Sequence, residues 1–230
     1  MILFCLPYAG GSKSMYYKWK SHLSPLIQLE PIELKARGYR YDEDFYDNFE
    51  EAVTDIFENI KDKLVDSEYA IFGHSMGSLL AYELYYQIVR ENYKIPKHIF
   101  FSGCKPPSIL AKDTKFHLLP DDEFIKKILC LGGTPKEVTD NEELLELVLP
   151  ILRNDFRMIG NYKYHNRKEK IQCNISILNG KDDDITEDEL LKWNEEGDKC
   201  CQTYHFEGGH FFINHKRNEI INIIHQTLMY

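Results

Sequence analysis

The chain has 230 residues, 43% hydrophobic and 28% charged, with a formal net charge of −9. That composition is globular and large enough for one sizeable core, which excludes a disordered chain. The acidic balance argues against a general nucleic-acid binder, which needs a basic face, and no run of 18 apolar residues predicts a membrane-spanning helix.

The first six residues are apolar but too short for a secretion signal, and they lack a basic start. Cys5, Cys104, Cys130, Cys173, Cys200 and Cys201 show no Cys-x-x-Cys and no metal-ligand spacing. Both features predict a cytoplasmic protein with free thiols.

In chain order, strands are expected at residues 2–6 and 29–34, with a helix at 14–23 between them. Residues 49–64 carry Phe49, Val53, Ile56, Phe57, Ile60 and Leu64 on one face, which is helical spacing. A buried strand at 69–73 leads into a helix at 77–90, and 98–102 is the next strand. Strands at 175–178 and 203–206 and helices at 187–193 and 219–228 complete the pattern. Alternating apolar strands and amphipathic helices predict an α/β fold with a mostly parallel central sheet covered on both faces.

From about residue 112 to 170 no clear strand recurs; helical patches at 121–131 and 141–152 surround Gly132-Gly133-Thr134-Pro135. The expectation is one domain over residues 1–230, with a helical lid insertion at about 105–168. The chain begins at its first strand and ends after its last helix, which favours a free-standing protein.

Gly73-His74-Ser75-Met76-Gly77 has the form Gly-x-Ser-x-Gly. It gains weight from its context, a strand running in and a helix running out, the arrangement that exposes a nucleophilic serine on a tight turn. A serine hydroxyl needs a base to take its proton, and in this architecture an acid and then a histidine follow it. His210, in Gly208-Gly209-His210, alone among nine histidines sits on a glycine-flanked turn after the last strand; His205 and His215 are its nearest competitors. The acid is expected after the strand at 175–178, where Asp182, Asp183 and Asp184 are adjacent; Asp183 is the choice, with Asp182 next. Met76 and Ala9, on the loop Pro7-Tyr8-Ala9-Gly10-Gly11, are the expected oxyanion donors.

Several segments together resemble the type II thioesterases, the stand-alone editing enzymes of nonribosomal peptide and polyketide assembly lines, and the related medium-chain thioesterase of fatty acid synthesis. They are Leu6-Pro7-Tyr8-Ala9-Gly10-Gly11, Glu33-Leu34 with Arg37-Gly38-Tyr39-Arg40, and the serine motif with Ala81-Tyr82-Glu83. Ser102-Gly103 with Pro106-Pro107 is similar to the family's lid entry. Leu149-Pro150 with Arg153, Asp155, Phe156 and Tyr162 is similar to its lid exit. Gly180-Lys181-Asp182-Asp183 and Gly209-His210-Phe211-Phe212 match its last two motifs. Lys35-Ala36 stands where the family usually has Pro-Gly, and Asn154 replaces a usual alanine.

The resemblance implies an α/β-hydrolase fold and a Ser75–His210–Asp183 triad. It also implies an acyl thioester substrate on the phosphopantetheine arm of a carrier protein, with no metal and no free cofactor. A monomer suffices. Phe116, Leu118, Leu119, Phe124, Ile128 and Leu131 would shape an acyl pocket or form the lid's own core. Lys163, Arg167 and Lys168, or Arg37 and Arg40, are candidates for carrier docking. A small-molecule carboxylesterase with the same triad, and a non-catalytic scaffold, are the rival expectations.

Overall fold

The structure is a computed structural model and describes residues 1–110, 115–133 and 141–229. Lys112 and Thr134-Pro135 of the expected insertion lie outside the described residues.

Six strands form one sheet: β1 (Ile2–Leu6), β2 (Gln28–Pro31), β3 (Tyr69–His74), β4 (His98–Ser102), β5 (Asn174–Gly180) and β6 (Cys201–Phe206). Their spatial order is β2-β1-β3-β4-β5-β6, and every neighbouring pair is parallel. A parallel sheet is stable only with both faces covered. Alternate strand residues supply the two faces. Phe4, Leu6, Ile71, Ile99, Phe101 and Ile177 pack with helices α1 (Phe49–Asp66) and α2 (Met76–Arg90). Leu3, Cys5, Ala70, Phe72, Phe100 and Leu178 pack on the other side. There they meet Tyr16, Trp19 and the helix at Arg217–Met229.

Between β4 and β5 lie helices α3 (Asp121–Leu131) and α4 (Glu142–Asn161). Helix α5 (Glu187–Leu191) joins β5 to β6, and α6 (Arg217–Met229) closes the chain. From β1 the chain runs outward to β2, then returns to β3 on the other side of β1. Loops leaving β1 and β3 therefore diverge, and a crevice opens at the carboxyl ends of these strands, where α/β sheets bind ligands.

Four expected elements differ. The helix expected at 14–23 is a shorter 3-10 segment, Lys13–Trp19, which buries Tyr16 and Trp19. The strand expected at 29–34 stops at Pro31, since β1 ends at Leu6 and offers no partner beyond the Ile32 N–H to Cys5 O bond of 2.9 Å. The helical patch expected to end at 152 runs on to Asn161 through Pro150, because Leu152, Asp155 and Met158 continue one buried face. The helix expected at 187–193 ends at Leu191 and tightens into a 3-10 turn, Lys192–Glu195.

Ala36 has φ of 61°, in the left-handed region that a Cβ disfavours. Ala36→Gly removes that conflict but frees the unfolded chain, so a net gain of roughly 0.5 kcal/mol is expected in urea unfolding. An unchanged or lower midpoint would show that the turn carries no such strain.

Candidate active site

Ser75 stands between β3 and α2 with φ of 54° and ψ of −117°. Its N–H donates to the Ser102 carbonyl at 2.8 Å, which fixes the turn against β4. Two glycines make the turn possible. A Cβ on Gly73 would run into the Gly77 backbone, and one on Gly77 into the Leu6 and Pro7 carbonyls. The loop after β1 thus lies directly against the first turn of α2.

The His210 Nε2 is 3.0 Å from Ser75 Oγ, and its Nδ1 is 2.8 Å from Asp183 Oδ2. Asp183 is the one of the three adjacent aspartates that the structure brings to His210. Asp182 and Asp184 are exposed. Backbone contacts hold the two loops together: Asp182 N–H donates to Gly208 O at 3.1 Å, and a Cβ on Gly180 would collide with the Gly208 and Gly209 carbonyls. The competing histidines lie elsewhere. His205 pairs with Glu187 at 3.3 Å, and His215 is exposed.

Met76 opens α2, where first-turn N–H groups have no partner within the helix. Ala9 is half-buried on the turn after β1. Its neighbours are engaged: Gly10 N–H donates to Asp155 Oδ2 at 2.7 Å, and Gly11 N–H to Tyr8 O at 2.8 Å. Neither is available to a substrate, which favours Ala9 as the donor from this loop.

Asp155 and Arg37 each stand in a separate motif of the sequence, but nothing there pairs them. Both Asp155 oxygens meet Arg37, Oδ2 from Nη1 at 2.8 Å and Oδ1 from Nη2 at 2.7 Å, with side-chain exposures of 0% and 3%. Arg37 also donates to the Gly11 and Lys35 carbonyls at 3.1 and 3.2 Å. Burial pulls the Arg37 pKa down, but Asp155 more than offsets it and the net shift is upward. Arg40 is likewise buried, between Glu43 and Asp55. Neither arginine is free for docking, against expectation. Arg167 is engaged by Glu83 at 2.6 Å, which leaves Lys163 and Lys168 as the exposed ones of the three basic candidates there.

The segment between β4 and β5 touches the site at two points. Leu152 of α4 lies on Gly10, and Gly133 beyond α3 lies on the Phe211 ring. Phe116, Leu119, Phe124 and Ile128 form a small core with Leu152 and Phe156. Leu118 and Leu131 are exposed. A cavity of about 430 Å³ opens behind the acid, lined by Asn179, Asp183, Asp184, Glu187 and His205 among others. One of about 390 Å³ lies between α1, α2 and the end of α4. Ser75 lines neither. Among the described residues no group of three or more His, Cys, Asp or Glu side chains is arranged to hold a metal ion, and no helix is long and apolar enough to cross a membrane.

A family model described as a thioesterase domain matches residues 1–228. The gramicidin S biosynthesis protein GrsT of Aneurinibacillus migulanus is 35% identical over 227 residues, 98% of this chain and 88% of that protein. ClbQ, from the colibactin NRPS/PKS pathway, superposes with a TM-score of 0.94 at 36% identity, covering 99% of this chain and 96% of the other. BorB, the type II thioesterase of the borrelidin biosynthetic cluster, gives 0.90 at 31% identity, covering 99% and 92%. These neighbours identify the sheet and its helices as the α/β-hydrolase fold.

Two buried histidines, His74 beside this site and His98 at the opposite end of the sheet, make stability depend on pH. His98 shares a 2.8 Å hydrogen bond with Ser176, and burial pushes it down to about 4. Burial, and then the neighbouring His210, push His74 well below its ordinary 6.5. Below pH 6.5 the unfolded chain takes up protons that the folded one refuses, so stability is complete above that pH and falls as pH falls towards the folded values. Between pH 6 and 5 each is expected to remove about 1 kcal/mol. His98→Gln should halve that slope in urea melts; an unaltered slope would mean that other groups set it.

Proposed function

The chain belongs to the thioesterase family, hydrolases that act on thioesters, and from that premise we propose that it is a type II thioesterase serving a nonribosomal peptide or polyketide assembly line. Its task is to edit: it releases aberrant acyl groups from the phosphopantetheine arms of carrier proteins. The observation that carries this reading is the unbroken line from Asp183 through His210 to Ser75, at 2.8 and 3.0 Å. The names of GrsT, ClbQ and BorB support the pathway class.

In the proposed mechanism His210 Nε2 takes the Ser75 proton as Oγ attacks the thioester carbonyl. The oxyanion is held by the N–H groups of Met76 and Ala9. The C–S bond breaks, and the pantetheine sulfur leaves with the proton from His210. Water, deprotonated by His210, then attacks the acyl-serine and frees the acid. Asp183 fixes the imidazole tautomer and stabilises the imidazolium. No metal or free cofactor takes part. Residues 105–168 act as the lid, a role supported by the contacts of Leu152 and Gly133 beside the site. The exposed Lys163 and Lys168 offer positive charge to an acidic carrier.

The first test is release of a short acyl group from a phosphopantetheinylated carrier, beside the same acyl group as a simple oxygen ester. Ser75→Ala should lower release by about 10⁴-fold or more, and the ester should turn over slowly. Rapid ester hydrolysis with an inert carrier would overturn the thioesterase reading in favour of an esterase.

The acid is tested separately. Asp183→Asn should cost about 10³- to 10⁴-fold in kcat, whereas Asp182→Asn and Asp184→Asn stay within about 3-fold. Equal losses at all three would reject Asp183 as the triad acid.

A further inference from the structure

The residue before the nucleophile has no part in the steps above. His74 ends β3 and is fully buried. Its Nδ1 shares a 2.8 Å hydrogen bond with Ser102 Oγ. Its Nε2 is buried with no hydrogen-bond partner, and the His210 main chain lies beside the ring. The two imidazole rings are 5.3 Å apart between centroids, tilted by 43°. Tyr8, Phe211 and Phe212 meet His74 edge-on at 5.9, 5.7 and 5.7 Å. Gly103, at φ of 58°, closes the remaining side: a Cβ there would stand 2.8 Å from His74 Cε1 and 3.4 Å from His210 Cε1.

A phenyl ring would fill this space without leaving a polar nitrogen unpaired in the interior, a costly arrangement. We propose that His74 is a positioning residue for His210. Its ring is the wall against which the base is set, and its Nε2–H closes onto the His210 main-chain carbonyl as the site tightens around substrate. The proposal rests on the assignment of His210 as the base.

The hydrogen-bond chemistry is consistent. If the Ser102 hydroxyl donates to Nδ1, the ring proton lies on Nε2. Contacts of this kind are often long in free enzymes and shorten in the complex. The groups facing His74 are the Ser102 hydroxyl from β4, the Tyr8 phenol from the loop after β1, and His210, with Asp183 behind it. The Tyr8 phenol is raised by its own burial and is neutral. With burial also holding His74 neutral, His210 gains its proton beside a dipole instead of a second cation.

The experiment pairs histidine NMR with kinetics on the full chain, using wild type, His74→Phe and His74→Gln. In the wild type His74 should remain neutral and protonated at Nε2 from pH 8 to about 5.5. The His210 Nδ1–H resonance, bonded to Asp183, should shift or broaden in His74→Phe and return in His74→Gln, whose amide can donate from the Nε2 position. His74→Phe should lose about 10- to 100-fold in kcat with KM within about 2-fold. It should also move the acid limb of the pH profile, and His74→Gln should recover most of the rate. Titration of His74 within that window, an unmoved His210 resonance, or a rate loss with neither limb shift nor rescue by glutamine would each overturn the proposal. If His74→Phe does not fold, the wild-type titration and His74→Gln decide. The His210 resonance is read without turnover, so failure of the thioesterase assay leaves this test standing.

Discussion

The arrangement of the site depends on one buried ion pair. Arg37 and Asp155 are 118 residues apart, and between them they join three separate stretches: the loop after β1, the turn at residues 35–37 and α4. Asp155 comes from α4 and takes the Gly10 N–H; Arg37 comes from its own turn and takes the Gly11 and Lys35 carbonyls. Such a pair is not a strong source of net stability, since desolvation cancels much of the attraction. Removing one partner is another matter and costs about 3–5 kcal/mol, because a buried charge is left behind. Its value here is directional. It engages the Gly10 N–H and the Gly11 carbonyl, and so holds the loop after β1 in place next to Ser75.

That pair also ties the segment between β4 and β5 to the sheet. Besides Asp155, α4 sends Leu152 onto Gly10, Met158 into the main core, and Arg157 to the carbonyls of Tyr46 and Asp47 at 2.7 and 3.0 Å. The other side of that segment reaches the site through Gly133 on Phe211, next to His210. Helix α4 is therefore part of the scaffold that shapes the loop after β1, while the α3 side meets the loop that carries the histidine. The loop after β1 and the loop that carries His210 are both flanked by the segment between β4 and β5.

The features legible in the sequence were those whose geometry is local. Gly73 to Gly77 forms a strand, turn and helix within a few residues, and His210 sits on its own glycine turn, so both could be read from pattern. Asp183 could not be separated from Asp182 and Asp184 by spacing. The distinction arises only when the Asp182 N–H bonds Gly208 O and turns the next carboxylate inward. Arg37 and Arg40 were expected on the surface because charge usually marks it, and their carboxylate partners lie outside any local window. The helical patch expected at 141–152 extends to Asn161, because the buried face of Leu152, Asp155 and Met158 outweighs the hydrogen bond lost at Pro150. His74 gave no signal of its own, since a residue between glycine and the nucleophile reads as turn filler.

Where the loops of the site meet, contact is backbone on backbone. Gly77 lies under the Leu6 and Pro7 carbonyls, Gly180 under those of Gly208 and Gly209, and Gly73 against Gly77. Glycine is required at these points because any Cβ would separate the loops by more than the tolerance of a hydrogen bond. The separations of Ser75, His210 and Asp183 are thus fixed by main-chain packing at the strand ends, and the side chains need only short reach from there. This also explains how Ser75 can remain at a positive φ. The Ser102 carbonyl holds its N–H on one side and α2 begins at once on the other, so relaxing the turn would break the β3–β4 edge and the start of the helix together.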